Sequence, residues 1–137
     1  MAGYVNRFNK GRSRPASKQG ESARTKKLKD ALSKAHPSSK WWKNHGSEYS
    51  ERGLPDIMGV VNGRFYGFEI KVGDNWFSAS QIKRLRELEL AGGCSGGLIY
   101  KDDQWWFVPV TSMGFKGDRK RSTWQKFVIE ELVYYGW

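Results

Sequence analysis

Leu28, Ala31, Leu32 and Ala35 recur at helical spacing, and Lys26, Lys27 and Lys34 fall on the opposite face. This pattern predicts a first helix over residues 21–35, ended near Pro37, because a proline disfavours helical backbone in the residue before it. Residues 39–51 hold Trp41, Trp42 and Tyr49 and have room for one short strand around 40–45. Two β-prone runs follow, 56–61 and 64–72, joined by Asn62-Gly63, the pair best suited to a two-residue hairpin turn. Ser78 then stands three residues before Gln81, the spacing of a capping box, and Ile82, Leu85, Leu88 and Ala91 form one apolar stripe that Gly92-Gly93 closes. Strands over 96–100 and 104–110 flank a polar turn at residues 101–103. Trp124, Phe127, Val128, Glu131, Leu132 and Tyr135 share one helical face behind Ser122 or Thr123 as cap, which predicts a C-terminal helix. The order α-β-β-β-α-β-β-α describes an α/β layer fold with a mixed sheet.

Composition adds a boundary to this picture. Residues 1–20 interleave Gly, Ser and Pro with Arg7, Lys10, Arg12, Arg14 and Lys18 and lack apolar periodicity, so they read as a flexible basic arm before one domain over residues 21–137. The net charge of +10 is concentrated upstream: residues 1–52 carry 13 basic and 4 acidic side chains, against 11 and 10 in residues 53–137. Such a block suits a polyanion through phosphate contacts and counterion release, and it also suits a solubilising tail. Cys94 is the one cysteine, which excludes an internal disulfide and a cysteine-based zinc cluster. The sequence contains neither a membrane-length apolar run nor a secretory signal, and a cytoplasmic setting is expected.

The chemistry begins with the hairpin register. With Asn62 and Gly63 as the loop, cross-strand partners have numbers summing to 125, and Asp56 lies opposite Glu69. Directly opposed like charges are destabilising. A divalent cation reverses that sign, and two carboxylates with a backbone carbonyl and water make a hard-oxygen site for Mg²⁺ or Mn²⁺. Lys71 follows Glu69 by two residues and points to the same face, where an ammonium can orient a nucleophile or stabilise developing negative charge. Phosphodiester hydrolysis needs those functions. A solvated salt-bridge cluster, with Lys71 only neutralising the acids, is the alternative.

Gly53-Leu54-Pro55-Asp56, Phe68-Glu69-Ile70-Lys71 and Ser80-Gln81 opening a helix that ends in Ala91-Gly92-Gly93 resemble the VRR-NUC branch of the PD-(D/E)XK nuclease superfamily. The resemblance implies a restriction-endonuclease-like α-β-β-β-α-β core with a mixed sheet, here with the C-terminal helix added. It implies Asp56, Glu69 and the Ile70 carbonyl as metal ligands and Lys71 as the catalytic lysine. Glu21 would match the acid that many such nucleases carry in the first helix, and its seven-residue spacing from Leu28 independently places it on the inward face. Gln81 would help position the lysine or a water, beside its capping role. Stand-alone members of the family act as homodimers on branched DNA such as Holliday junctions, often in viruses, so the expected activity is a Mg²⁺-dependent, structure-specific endonuclease.

DNA contacts are expected from Arg12 and Arg14 in the arm and from Lys26 and Lys27 on the first helix. Trp76 and Phe77, just after Lys71, fit base stacking or a junction wedge, and fit packing in a core or subunit interface somewhat better. The basic cluster at 116–121 fits a phosphate backbone or a solvated loop. The glycines of 92–97 terminate a helix, since no Gly-Lys-Ser/Thr follows them, and His36 and His45 lack a partner at metal spacing. Two rivals remain: a non-catalytic basic DNA-binding or packaging protein retaining the fold, and a restriction-type enzyme reading a base sequence.

Overall fold

The computed structural model describes residues 16–44, 53–113 and 123–134. Helix α1 (Ala16–Ala35) leads into a six-stranded sheet of β1 (Lys40–Lys43), β2 (Ile57–Val61), β3 (Arg64–Val72), β4 (Cys94–Lys101), β5 (Gln104–Val108) and β6 (Gln125–Lys126). Helix α2 (Ala79–Leu90) connects β3 to β4. The strands lie in sequence order, antiparallel throughout except for the β3–β4 pair, which is parallel. Parallel neighbours need a long crossover, and α2 supplies it. The fold is the mixed α/β architecture expected from the sequence, with a restriction-endonuclease-like core.

The hairpin forms in the expected register, with Val61 opposite Arg64 and Ile57 opposite Phe68. Asn62 and Gly63 both have positive φ, 51° and 79°, as a type I′ turn requires. Alternation along β3 then divides the molecule. Tyr66, Phe68 and Ile70 face α1 and join a core with Leu28, Leu32, Trp41, Ile57 and Leu98. Glu69 and Lys71 face the other way, towards α2. That second layer is packed by Leu85, Ile99, Val108, Val110 and Met113, together with Phe77. Ser95 locks it, donating from its buried hydroxyl to the Leu85 carbonyl at 2.6 Å.

Two expectations change. Helix α1 begins at Ala16, so residues 16–20 belong to it rather than to a flexible arm. Gly20 weakens a helix by about 1 kcal/mol relative to Ala, too little to stop it once Leu28 and Leu32 are buried downstream. The C-terminal segment is not an α-helix. Gln125 and Lys126 pair with Phe107 and Trp106, which covers the outer edge of β5, and residues 129–134 form 3₁₀ turns broken at Glu131 (φ −108°, ψ 26°). The apolar spacing correctly marks Phe127 and Leu132 as buried. It misses the backbone because Trp, Phe, Val, Ile and Tyr are weak helix formers, and the strand edge offered better hydrogen bonds. His36 secures this segment to the end of α1 through a 2.8 Å hydrogen bond from Nε2 to the Ile129 carbonyl. Arg12, Arg14, His45 and residues 116–121 lie outside the described residues. Among the described residues no helix is long and apolar enough to cross a membrane.

Close packing leaves its own marker on β2. The Trp41 ring covers Gly59, and a Cβ added there would lie 2.1 Å from Trp41 Cε3. Trp41 is itself 4% exposed and anchored by its indole N–H donating to Ser39 Oγ, so the ring has little room to retreat. Gly59→Ala is expected to destabilise the fold by about 1–3 kcal/mol. Urea denaturation measures this as a lowered midpoint at unchanged slope.

Candidate active site

Asp56 stands immediately before β2, where the β2–β3 ladder ends while β3 runs on to Val72. The Ile70 N–H would therefore lack a strand partner, and Asp56 Oδ2 accepts it at 2.8 Å. In an antiparallel pair a residue's N–H and C=O face the same neighbour, so the Ile70 carbonyl opens towards the Asp56 side as well. The loop before Asp56 is held from β1: Asn44 N–H donates to the Asp56 carbonyl at 2.9 Å, and the Asn44 amide donates to the Pro55 carbonyl. Gly53, with φ +87°, lies beneath the Arg84 side chain of α2, a conformation and a clearance that a side chain would oppose.

Glu69 is 4% exposed. Its neighbour on the parallel strand is Gly97, and the Phe77 ring occupies the place beside it, 2.1 Å from where a Gly97 Cβ would sit. An aromatic wall thus takes the space that a β4 side chain would otherwise fill. Burial pushes the Glu69 carboxyl up to about 9, reinforced by the charge of Asp56 and a hydrogen bond with it, while Lys71 works in the opposite direction and Glu21 adds a smaller upward push. The two acids are therefore partners in one pocket, as the register predicts. Lys71 is half-buried and contributes its charge without a close ion pair; the ion pairs among the described residues are Lys26–Asp30 and Lys101–Asp74. A surface salt-bridge cluster does not describe this site.

Gln81 fills its expected capping role and reaches Glu69 rather than Lys71. Its Oε1 accepts from the Ser78 N–H at 2.8 Å and its own N–H donates to Ser78 Oγ at 3.2 Å, which completes the capping box of α2. Its Nε2 then donates to Glu69 Oε1 at 3.4 Å. Glu21 is partly buried, on the same side of α1 as Leu28, and its Oε2 accepts from Asn75 Nδ2 at 2.9 Å. Asn75 lies in the loop after β3, so the contact ties the first helix to the end of the sheet that carries Lys71. Sequence spacing gave no sign of it, because the two residues are 54 positions apart. Arg24, above the Tyr100 ring at 3.9 Å, and Lys43, donating to Ser22 at 2.9 Å, fix the same end of α1.

Among the described residues no three His, Cys, Asp or Glu side chains converge closely enough to hold a metal by themselves. The donor set that fits a divalent cation is smaller: Asp56, Glu69 and the Ile70 carbonyl, all hard oxygens, with Glu21 beyond them. A buried carboxylate that otherwise holds its proton to high pH is the electrostatic stress that such a cation relieves. Of the aromatic pair expected near DNA, Phe77 is 5% exposed and belongs to the core, while Trp76 is half-buried and stacks on Trp124 at 6.1 Å. Packing, the alternative open from sequence, is where both rings are used. Lys26 and Lys27 are exposed on α1.

The fold is similar to that of Hjc, a Holliday junction resolvase from the archaeal hyperthermophile Archaeoglobus fulgidus, with a TM-score of 0.53 at 22% identity over 64% of this chain and 74% of that chain. Identity at that level establishes shared architecture. No protein-family model matches the chain, and no curated protein matches its sequence.

The raised Glu69 group makes stability depend on pH. Between its ordinary value of 4.5 and about 9, the folded, metal-free chain holds a proton that the unfolded chain has released. The linked stability is complete below 4.5 and is lost as pH rises through about 9, with a slope of up to about 1.4 kcal/mol per pH unit. In EDTA, the wild-type Tm should fall between pH 5 and pH 9 and the Glu69→Gln profile should be flatter. Parallel profiles for the two proteins would remove the assigned shift.

Proposed function

We propose that this chain is a metal-dependent endonuclease that hydrolyses phosphodiester bonds in branched DNA. The observation that carries the reading is Glu69, buried against Asp56 with Lys71 on the same strand face, in a fold shared with a junction resolvase. Asp56, Glu69 and the Ile70 carbonyl would hold Mg²⁺ or Mn²⁺, and the bound cation would polarise a phosphoryl oxygen and acidify an attacking water. Lys71 places its ammonium where charge develops on the phosphate, within a site that Phe77 and the sheet keep partly dry. Gln81 holds the Glu69 carboxylate in one orientation, and Glu21, itself held by Asn75, adds negative charge at the outer side of the pocket.

Membership of the VRR-NUC branch is part of the proposal and rests on the order of Pro55-Asp56, Glu69-Ile70-Lys71 and Gln81 along these elements. A homodimer belongs to the same reading, since paired cuts across a junction need two centres. The exposed Lys26 and Lys27 are proposed phosphate contacts, as are Arg12 and Arg14, which lie outside the described residues. Trp76 and Phe77 are assigned to packing. The non-catalytic DNA-binding alternative shares the fold and the basic charge. It leaves unexplained why a buried acid is set against a second, half-buried one beside a lysine, an arrangement that burdens a protein whose only task is to bind a polyanion.

The deciding experiment incubates the full chain with a labelled four-way junction and a matched linear duplex, with and without Mg²⁺. Mg²⁺-dependent cutting that favours the junction is expected. Asp56→Ala and Lys71→Ala should each lower the single-turnover rate by at least about 100-fold. Lys71→Ala should leave junction affinity nearly unchanged when measured in EDTA. Wild-type protein that binds all DNA and cuts none would transfer the assignment to the non-catalytic alternative.

A further inference from the structure

Among the described residues β1 is an edge strand of the sheet, and a groove of about 360 Å³ runs between it and α1, lined by Lys26, Lys29, Asp30, Lys40, Lys43 and the two tryptophans. Its charge is strongly one-sided. Asp30, the one acid in that lining, is already paired with Lys26 at 3.1 Å, and among the described residues neither Lys29 nor Lys40 has a carboxylate partner. The adjacent tryptophans have different fates. Trp41 is buried under α1, whereas Trp42 is turned to the opposite face and is 45% exposed.

That opposite face is the catalytic one. Trp42 pairs with Met58, two residues beyond Asp56 and on the same side of β2, and Lys40 continues the line opposite Val60. The residue after β1, Asn44, is hydrogen-bonded to the Asp56 carbonyl. On the α1 side of the edge, Lys43 reaches Ser22, next to Glu21. From Lys40 to Lys43 the strand advances about 10 Å, roughly the rise of three nucleotides in one strand of a duplex. Exposed indole beside unpaired ammonium groups is the combination that binds single-stranded nucleic acid, with a base stacked on the ring and phosphates on the lysines.

We infer that the β1 edge binds an unpaired DNA strand leading away from the site, with a base on Trp42 and its phosphates on Lys40 and Lys29. The strand passes from the catalytic face over the edge into the groove against α1. This deepens the nuclease reading by assigning part of the substrate, and it rests on that reading for the direction of the strand. It also gives a role to Lys29 on α1 and Lys40 on β1, which among the described residues have no carboxylate partner.

The test measures binding of a fluorescein-labelled oligothymidylate to the full chain by anisotropy, in EDTA, from 50 to 200 mM KCl. For Lys29→Ala/Lys40→Ala, weaker binding is expected, with a slope of log affinity against log salt shallower by about 1.4. For Trp42→Ala, affinity should fall about 5- to 100-fold at unchanged slope. Thermal melts of both variants confirm that the fold is kept. A salt slope equal to wild type in the lysine variant, or wild-type affinity in the tryptophan variant, overturns the assignment. Because no cleavage is needed, its failure is separate from failure of the nuclease reading, which junction cutting with Mg²⁺ decides.

Discussion

A carboxylate buried beside a second carboxylate governs how the rest of this molecule is built. Left to itself, the pair would repel, and one member keeps a proton to about pH 9 rather than face the other charged in a dry pocket. The surrounding structure forces the encounter. A tight hairpin sets Asp56 across from Glu69, the unused Ile70 amide grips one Asp56 oxygen, and the Phe77 ring closes the side where water would enter. Each of these is a structural contact with a chemical outcome. Together they hold a strong demand for positive charge at one end of the sheet.

The topology explains why that end is also a meeting place. β3 and β4 are the parallel pair, so both run towards the same end, where the loop joining β3 to α2 meets the end of β4 through the Lys101–Asp74 ion pair. Asn75 in this loop reaches Glu21 in the second turn of the chain's first helix, while Arg24 lies on Tyr100 near the end of β4. Elements distant in sequence are thereby fixed around one pocket.

Most of the end of the sheet that carries Asp56, Glu69 and Lys71 was legible in the sequence because it depends on local rules. An asparagine-glycine turn fixes register by counting, strand alternation puts Lys71 with Glu69, and Ser78 with Gln81 announces a helix start. Glu21 was readable as inward-facing from its spacing to Leu28. What could not be read depends on partners far along the chain. The Asn75 contact, the ring of Phe77 over Gly97 and the Asn44 strap have no local signature. At the C-terminus the spacing of apolar residues was informative about burial only, since turns and strands can bury Phe127 and Leu132 as well as a helix can. The first helix ran past its expected start because a single glycine is a weak obstacle against a well-buried apolar face.

Gln81 joins two jobs in a single amide group. Its oxygen closes the first turn of α2, and its nitrogen reaches the Glu69 carboxylate on the sheet. The orientation of that acid and the seating of the helix are consequently one mechanical variable. Any tilt or fraying at the helix entrance is transmitted directly to the buried oxygen, so pressure on the surface of α2 acts as a handle on the chemistry beneath it.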